Sequence, residues 1–416
     1  MRPLPGFRDF LPSDCAARNY VFAKWREIAR RYGFVEWDGP ILEPTELYQK
    51  KSGDEIVGQL FNFIDKGERE VSLRPELTPT LARVVAAHER EFKKPLKWFS
   101  IGQFFRYEKQ QRGRLREHYQ LNCDIVGEES ANADVDLVAL CIDILRAFGF
   151  TEKEFVIRIS DREFWTDLLR AHNVDAGAWD EILQAIDKSE REPREKTTEK
   201  LGQLSGPVMK LLDHGGTSER LDRLVAGLRT RGLADFVEVD VRIVRGLAYY
   251  TGMVFEVFDR AGKLRAIAGG GRYDNLIAQL SGDAVSLPAL GFAMGDVVLG
   301  ELINETPGAR DRMREAIAAT DKIDIYVVIA KEDRRGDALA QVQQLRDRGY
   351  RVDYPLLATK VGKQFQAAEV LGARVAILYG DEWPQVKLKT MAAREENLVA
   401  HQELLAHLQA LLSLSS

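Results

Sequence analysis

Residues 106–120 read RYEKQQRGRLREHYQ, a cationic loop that lies between two apolar runs. Its cations are Arg106, Lys109, Arg112, Arg114 and Arg116. Only Glu108 and Glu117 oppose them, so the stretch carries a local charge of +3 in a chain of formal net charge −5. LKWFSIGQFFRYE precedes the loop and REHYQLNCDIVG follows it, so the pattern predicts a β-hairpin whose turn contains Gly113.

This hairpin has two interpretations. An isolated charge run is usually a solvated tip. Alternatively, the arginines form a clamp for a polyanionic ligand, because a guanidinium presents a planar fork of donors that suits phosphate. Antiparallel pairing would bring Arg106 across from Arg114 and Arg116, while a tip carrying Arg112 and Gly113 would reach a second anion. The rest of the chain has to decide between them.

Length and composition narrow the class of protein. A chain of 416 residues predicts two or three domains, and 45% apolar with 30% charged residues is typical of a soluble globular protein. The negative net charge argues against a protein that coats nucleic acid generally, so any nucleic acid must be met by local basic patches.

The three cysteines, Cys15, Cys123 and Cys141, form neither a paired metal spacing nor an even disulfide set. This usage predicts a reducing, cytoplasmic setting and no metal site of the protein's own. No run approaches 18 apolar residues and no apolar leader opens the chain, so neither a membrane span nor a targeting segment is expected.

The pattern of apolar and polar residues changes twice along the chain. Residues 1–320 mix helical and strand patterns; FVEWDGPILEP reads as one strand, and LFNFID with EVSLRPEL as a hairpin. Within this region, residues 161–235 show mainly helical periodicity and predict a helical insertion. Residues 323–416 alternate strand and helix patterns, which predicts a small α/β domain with a largely parallel sheet.

Three further motifs carry polar residues. In SLRPELTPT, Glu76 and Thr78 share a face if the backbone is extended, although the two prolines also suit a plain turn. VRGLAYYTGMVFE contains Tyr249 and Tyr250, and on a strand at most one of them would face a given neighbour. AGGGRYD places a glycine run before Arg272, which permits close approach of a ligand but is also common in tight turns.

The order of these motifs is more informative than any one of them. PGFRDFLP, GPILEP, RPELT, RYE…RGRLREHYQ, RGLAYYTG…FE, GGGRYD and PALGFAMG follow one another along the chain. This succession resembles the histidyl-tRNA synthetases, a class II family, over essentially the whole sequence. The resemblance implies a six-stranded antiparallel sheet flanked by helices, a helical insertion, an α/β anticodon-binding domain and a homodimer that forms through GPILEP.

The resemblance also implies residue roles. The residues implied to bind ATP are Arg106, Glu108, Arg114 and Arg272. Those implied to bind histidine are Glu76, Thr78, Gln120, Asp124, Arg245, Tyr249, Tyr250, Gly269 and Gly270. Arg106 and Arg245 would be catalytic, because a fixed guanidinium on the α-phosphate stabilises developing negative charge. Arg112 and Arg116 would contact the tRNA acceptor end.

The implied activity is histidine–tRNA ligation in two steps, with ATP and Mg²⁺ entering together. Histidine is first converted to histidyl-adenylate and then transferred to the 3′ end of tRNA(His). Positioning and electrostatics should dominate the phosphoryl step, so His118 and Cys123 are expected to be structural or lining residues.

The chain departs from the family pattern at a few positions. Ala248 stands where the family has aspartate, Val298 where it has an ATP-contacting arginine, and Asp124 where it has glutamate. Asp296 cannot replace an arginine, since it is anionic. The alternative is therefore a histidine-binding regulatory paralogue of ATP phosphoribosyltransferase. The presence of residues 323–416, with Arg106, Arg114 and Arg245, favours the enzyme.

Overall fold

In the computed structural model of the protein, the described residues are 2–49, 57–109, 111–190, 192–245, 249–320 and 322–413. The substitution noted at Ala248 therefore lies outside the described residues. The chain forms two compact units, Met1–Met313 and Arg314–Ser416.

The first unit carries the elements that build the large sheet. Its helices are α1 (Pro12–Arg31), α2 (Glu46–Gln49), α3 (Thr78–Ala87), α4 (Ala131–Ala147), α5 (Arg162–Ala171), α6 (Trp179–Asp187), α7 (Arg194–Leu201), α8 (Ser205–His214), α9 (Glu219–Thr230), α10 (Leu276–Ser281), α11 (Asp296–Glu305) and α12 (Pro307–Thr320), the last of which continues into the second unit. Its strands are β1 (Val35–Glu36), β2 (Leu42–Pro44), β3 (Phe61–Ile64), β4 (Glu70–Leu73), β5 (Leu96–Phe105), β6 (Glu117–Val126), β7 (Phe155–Asp161), β8 (Val237–Val239), β9 (Met253–Asp259), β10 (Ala268–Arg272) and β11 (Ala289–Gly295).

The large sheet has the order β1-β5-β6-β11-β10-β9-β7-β8. Its six inner strands pair antiparallel, and the two short edge strands pair parallel to β5 and β7. The predicted class II architecture of an antiparallel sheet with flanking helices is thus confirmed. The cationic hairpin is confirmed too, because β5 and β6 pair from Leu96↔Val126 to Phe105↔Glu117.

A second sheet of the order β2-β4-β3 lies near the N-terminus, where the predicted LFNFID hairpin is confirmed by β3 and β4. The prediction of one strand for FVEWDGPILEP was wrong, since β1 and β2 belong to different sheets. The chain turns between them at Asp38–Gly39, where the buried Arg74 guanidinium donates to Asp38 Oδ1 at 2.7 Å and to Gly39 O at 2.9 Å.

Helices cover the large sheet and bury its core. The sequence of α4 is apolar on nearly every side, and the helix packs against α1, β6 and β11. Trp25 of α1, Phe99 of β5 and Phe255 of β9 are fully buried in the same cluster. Farther along, α5–α8 enclose a separate cluster around Trp165 and Val208, whereas the buried leucines of α9 belong to the main cluster.

The second unit is a five-stranded sheet with helices. Its strands are β12 (Ile325–Ile329), β13 (Val352–Asp353), β14 (Val375–Tyr379), β15 (Gln385–Thr390) and β16 (Glu396–Ala400), and its helices are α13 (Arg335–Asp347), α14 (Val361–Val370) and α15 (Leu404–Ser413). The order is β13-β12-β14-β15-β16. The first three strands are parallel, as predicted, but β15 and β16 add antiparallel pairing, so the parallel part is smaller than expected.

Within the described part of the chain, no helix combines the length and the apolar character that crossing a bilayer requires.

Candidate active site

A cavity of about 240 Å³ opens on the large sheet of the first unit. Strand β6 supplies its floor through His118, Gln120, Asn122 and Asp124, which recur every second residue because alternate strand side chains share one face. The turn before α3, the cationic hairpin, the segment before β9 and strands β10 and β11 provide the walls. Residues from five separate stretches of the chain therefore meet at one site.

Most of the residues singled out in the sequence line this cavity. They are Glu76, Thr78, Arg106, Glu108, Arg114, Gln120, Asp124, Arg245, Tyr249, Tyr250 and Gly269. Arg112, Arg116, Gly270 and Arg272 do not line it.

Two buried acid–tyrosine pairs mark one half of the cavity, which we call the acid–tyrosine half. The Tyr249 hydroxyl donates to Glu76 Oε2 at 2.9 Å, and the Tyr273 hydroxyl donates to Asp124 Oδ1 at 2.6 Å. Burial and the neighbouring carboxylates raise the pKa of both tyrosines, so both hydroxyls keep their protons. Burial raises the pKa of Asp124 to about 7, and the hydrogen bond from Tyr273 acts in the opposite direction.

The same half retains unused hydrogen-bonding capacity. Among the described residues, Glu76 Oε1 and Asn122 Nδ2 are buried without a hydrogen-bond partner. An unpaired buried polar atom is costly, about 1–3 kcal/mol. A ligand that brings both a donor and an acceptor would remove this cost.

Glycines create the space for two of the charged groups. A Cβ at Gly291 would overlap the carboxylate of Asp124, and a Cβ at Gly269 would overlap the guanidinium of Arg245. Both glycines lie on the central strands β10 and β11, where a side chain on this face would fill the cavity. Gly269 was among the predicted site residues, whereas Gly291 was missed.

The other half of the cavity, the arginine half, is built on the base of the hairpin. Arg106 Nε donates to Pro75 O at 2.9 Å, and its backbone N–H donates to Arg116 O at 2.9 Å. Arg114 forms an ion pair with the buried Glu108. The antiparallel register thus brings Arg106 and Arg114 to one side of the site.

Arg245 is held from several directions. It has a left-handed backbone, with φ of 59°, and its N–H donates to Asp187 Oδ1 at 3.1 Å. Its Nη1 donates to Phe255 O at 3.2 Å and lies 3.5 Å from Glu256. Left-handed backbone is unusual for a non-glycine residue and persists where the surroundings enforce it, commonly at functional sites.

His118 on the floor and Cys123 on the opposite face of β6, in the hydrophobic core, lack the properties of a nucleophile–base pair. Burial, together with nearby arginines including Arg106, lowers the pKa of His118 to about 3, so the ring is neutral near pH 7. Burial raises the pKa of the Cys123 thiol, which stays protonated. His118 nevertheless lines the cavity as a neutral aromatic surface.

The ATP contact predicted for Arg272 needs correction. Its side chain is 1% exposed, and Nη2 pairs with Asp134 Oδ1 at 2.9 Å while Nη1 donates to Glu128 O at 3.0 Å. Strand alternation puts Arg272 on the opposite face from Gly269, and its donors are used in structural bonds. Gly270 does not line the cavity either, and its contact with histidine stays a prediction.

The two arginines assigned to tRNA lie outside the cavity. Arg112, at the tip, pairs with Glu301 at 3.1 Å and with Glu305, both on α11. The Arg116 guanidinium lies 4.1 Å from the centre of the Tyr107 ring, and its Nε donates to Glu108 O at 3.2 Å.

The expectation that only one tyrosine of the Tyr249–Tyr250 pair could face the site was wrong. Both line the cavity, and their ring centres are 5.0 Å apart. The pair lies in the turn ahead of β9, where the alternation of strand side chains does not apply. Tyr273, Asn122 and Glu256 also line the site and were missed; Tyr273 was within reach of prediction, since it follows the glycine run directly.

Two positions where the sequence departs from the family pattern have defined surroundings. Val298, near the start of α11, lines the cavity close to Gly113 of the hairpin. Asp296 pairs with Arg8 at 2.9 Å and accepts from the Tyr119 N–H at 2.9 Å, so it serves to join α11 to β6 and the N-terminal segment.

No cluster of three or more histidine, cysteine, aspartate or glutamate side chains suited to a metal ion occurs among the residues that the structure describes. The three cysteines are unpaired.

Comparison with known protein families covers both units. The family model described as histidyl-tRNA synthetase matches residues 6–296, and that of the anticodon binding domain matches residues 324–411.

Relatives match over nearly full length. A histidine–tRNA ligase of Opitutus terrae is 44% identical over 97% of both chains. The chloroplastic/mitochondrial histidine–tRNA ligase of Arabidopsis thaliana is 37% identical over 95% of this chain and 84% of its own.

Solved structures share the fold at lower identity. Histidyl-tRNA synthetase from Nostoc sp. PCC 7120 has a TM-score of 0.74 at 24% identity, covering 99% of both chains. A structure described as an ATP phosphoribosyltransferase regulatory subunit/histidyl-tRNA synthetase from Bacillus halodurans has a TM-score of 0.70 at 22% identity, covering 88% of this chain and 96% of its own. Fold alone therefore does not separate the ligase from the paralogue, but the sequence matches do: the chain belongs to the histidyl-tRNA synthetase family.

Proposed function

We propose that this protein is a histidine–tRNA ligase that activates L-histidine with ATP and transfers it to the 3′ end of tRNA(His). The observation that carries the proposal is the cavity itself, which joins buried acid–tyrosine pairs to converging arginines in one space. The near full-length similarity to histidine–tRNA ligases supports it.

The acid–tyrosine half suits histidine as the ligand. Imidazole presents one N–H donor and one N acceptor, and the ammonium group adds three donors. Glu76 Oε1 and Asp124 are acceptors, while Asn122 Nδ2 is an unpaired donor. A site built on such bonds rejects analogues that lack them, because its buried polar groups are then left unpaired.

In the activation step, a histidine carboxylate oxygen attacks the α-phosphorus of ATP. The bond from that phosphorus to the bridging oxygen breaks, and the products are histidyl-adenylate and pyrophosphate. Arg106 and Arg245 are the proposed stabilisers of the charge that develops on the α-phosphate. Arg245 is suited to this role because its backbone and side chain are already held, so little reorganisation accompanies the reaction.

In the transfer step, the terminal ribose hydroxyl of the tRNA attacks the acyl carbon, and AMP leaves. Arg112 and Arg116 are proposed contacts of the acceptor end, and the second unit a proposed anticodon-binding domain. KVGKQFQAAEVLGAR exposes Lys360 and Lys363, although an exposed lysine pair is also ordinary on a solvated helix. Mg²⁺ would enter with ATP and neutralise part of the triphosphate charge.

A homodimer in the cytoplasm completes the proposal. Ile41 and Leu42 of GPILEP are 44% and 41% exposed, and Phe63 and Ile64 on the same small sheet are 49% and 64% exposed. A second copy of the chain would cover these apolar side chains. The unpaired cysteines agree with a reducing compartment.

The deciding experiment is histidine-dependent exchange of pyrophosphate into ATP by the purified protein without tRNA. We expect exchange with histidine and none with the other amino acids. If histidine binds measurably but exchange does not occur, the regulatory paralogue becomes the better explanation, and Val298 and Ala248 become the positions to which the missing activity is assigned.

A further inference from the structure

We propose that Arg265 binds the polyphosphate tail of the nucleotide at the mouth of the cavity. This inference rests on the proposed ligase function and adds a residue to its nucleotide site. Arg265 lies on the connection between β9 and β10, next to Ala266 and Ile267, which line the cavity.

The first argument is charge. Three arginines line the cavity, Arg106, Arg114 and Arg245, against four carboxylates. Arg114 already pairs with Glu108, and Arg245 lies 3.5 Å from Glu256. The lining therefore has little positive charge to spare for a triphosphate, even with a metal ion present.

The second argument is position. The side chain of Arg265 passes beside Gly113, where a Cβ would lie 3.7 Å from Arg265 Cδ and 3.2 Å from Val298 Cγ2. Gly113 and Val298 both line the cavity. The guanidinium of Arg265 therefore lies by the rim on which the hairpin folds over the site.

The third argument is the partner that Arg265 has. Its Nη1 donates to the amide oxygen of Gln111 at 3.1 Å, a neutral acceptor at the hairpin tip. Among the described residues, no carboxylate forms an ion pair with Arg265 within 4.0 Å. Arg112, by contrast, is engaged by Glu301 and Glu305. Arg265 can thus exchange a neutral bond for a charge-assisted one to phosphate.

The fourth argument is the direction of the reaction, which assigns the outer phosphates of ATP to the rim of the cavity near Arg265. The α-phosphate must meet the histidine carboxylate next to Arg106 and Arg245, and pyrophosphate leaves on the side opposite to the attack. The outer phosphates therefore point away from the acid–tyrosine half, toward the rim with Arg265.

The test is ATP–pyrophosphate exchange by Arg265→Ala in the full-length protein. We expect the KM for ATP and the KM for pyrophosphate to rise about tenfold, as the loss of a hydrogen bond to a charged group predicts. The KM for histidine and the inhibition constant of AMP should stay within about twofold of wild type, since AMP lacks the outer phosphates. Lys263→Ala is the matched control, because it removes an exposed cation from the same connection.

Two further variants separate direct binding from support of the hairpin. Gln111→Ala removes the partner and keeps the cation, so it should leave the KM for ATP near wild type. Val298→Arg in the Arg265→Ala background should lower the KM for ATP again, because position 298 borders the same space. The inference is overturned if Gln111→Ala reproduces the defect, if AMP inhibition weakens equally, or if Arg265→Ala has no effect. Absence of exchange in the wild-type protein would instead contradict the ligase function itself.

Discussion

The two halves of the cavity are built in opposite ways. In the acid–tyrosine half, Glu76 and Asp124 are 6% and 4% exposed and each already accepts a hydrogen bond from a tyrosine. In the arginine half, Arg114 is 32% exposed, and the described residues Gln111 and Arg112 at the tip of its hairpin make exposed polar contacts. One half is fixed before any ligand arrives, while the other can rearrange around it.

This difference matches what each half would recognise under the proposed function. Histidine is small and has to be distinguished from close analogues, so rigid, fully desolvated partners are useful. A triphosphate and a tRNA end are large, highly charged and exchanged in every cycle, so exposed cations that can exchange their present partners for phosphate are useful. Arg245 stands between the two halves and combines a fixed position with a positive charge.

The largest effect is expected from Arg245→Ala. Adenylate formation should fall about 10²–10³-fold, because the variant removes a preorganised cation from the transition state. Single-turnover formation of histidyl-adenylate measures this. Arg242→Ala is the control, since Arg242 lies on the same segment but pairs with Asp240 and Glu190 outside the cavity. A rate for Arg245→Ala equal to that of the control would remove Arg245 from the mechanism.

Next in size is Gly291→Ala, which tests the rigidity of the acid–tyrosine half. The new methyl group would overlap the Asp124 carboxylate, so the KM for histidine should rise at least about tenfold while the KM for ATP changes less. Gly300→Ala on α11 is the control, because a Cβ there meets no atom within 4 Å and Gly300 does not line the cavity. If both variants bind histidine like wild type, the acid–tyrosine half is more adaptable than its contacts indicate.

A third prediction uses the pKa of Asp124, which burial raises to about 7. Between roughly pH 4 and 7 the native protein holds a proton on this group that the unfolded chain releases. The contribution of Asp124 to the free energy of unfolding therefore falls as pH rises through that window. We expect Asp124→Asn to flatten this decline, as measured by urea titrations at several pH values. Tyr273→Phe removes the bond that lowers this pKa, so it should extend the decline to higher pH. Identical slopes in all three proteins would show that Asp124 titrates normally.

The smallest effect is expected from Arg112→Ala at the hairpin tip. Its ion pairs with Glu301 and Glu305 are exposed and should contribute little to stability, because solvent screens them. Pyrophosphate exchange should therefore be unchanged, whereas charging of tRNA(His) should slow a few-fold if the tip meets the acceptor end. The double variant Glu301→Gln, Glu305→Gln is the opposite perturbation, because it removes the two carboxylate partners and keeps Arg112. Equal losses in exchange and charging would instead assign Arg112 to the nucleotide site.

The sequence alone determined the elements with strong local signals. The hairpin of β5 and β6 was predictable because two apolar runs flank a charged loop, and α4 because its apolar stretch has the length of a helix and ends before Gly149. The order of short motifs also determined the family, since each motif is a local string. Eleven of the fifteen distinct residues predicted from them line one cavity, because the motifs are the pieces of that site.

Only the tertiary structure decided which face each of these residues occupies. Arg272 follows Gly269 by three positions on one strand. This odd spacing puts its side chain on the opposite face of the sheet, where it is buried and pairs with Asp134. Tyr249 and Tyr250 both reach the site because the chain turns there, and Gly291 matters only because Asp124 of a neighbouring strand needs its space. Such relations depend on register and on contacts between distant segments, which no local pattern of residues encodes.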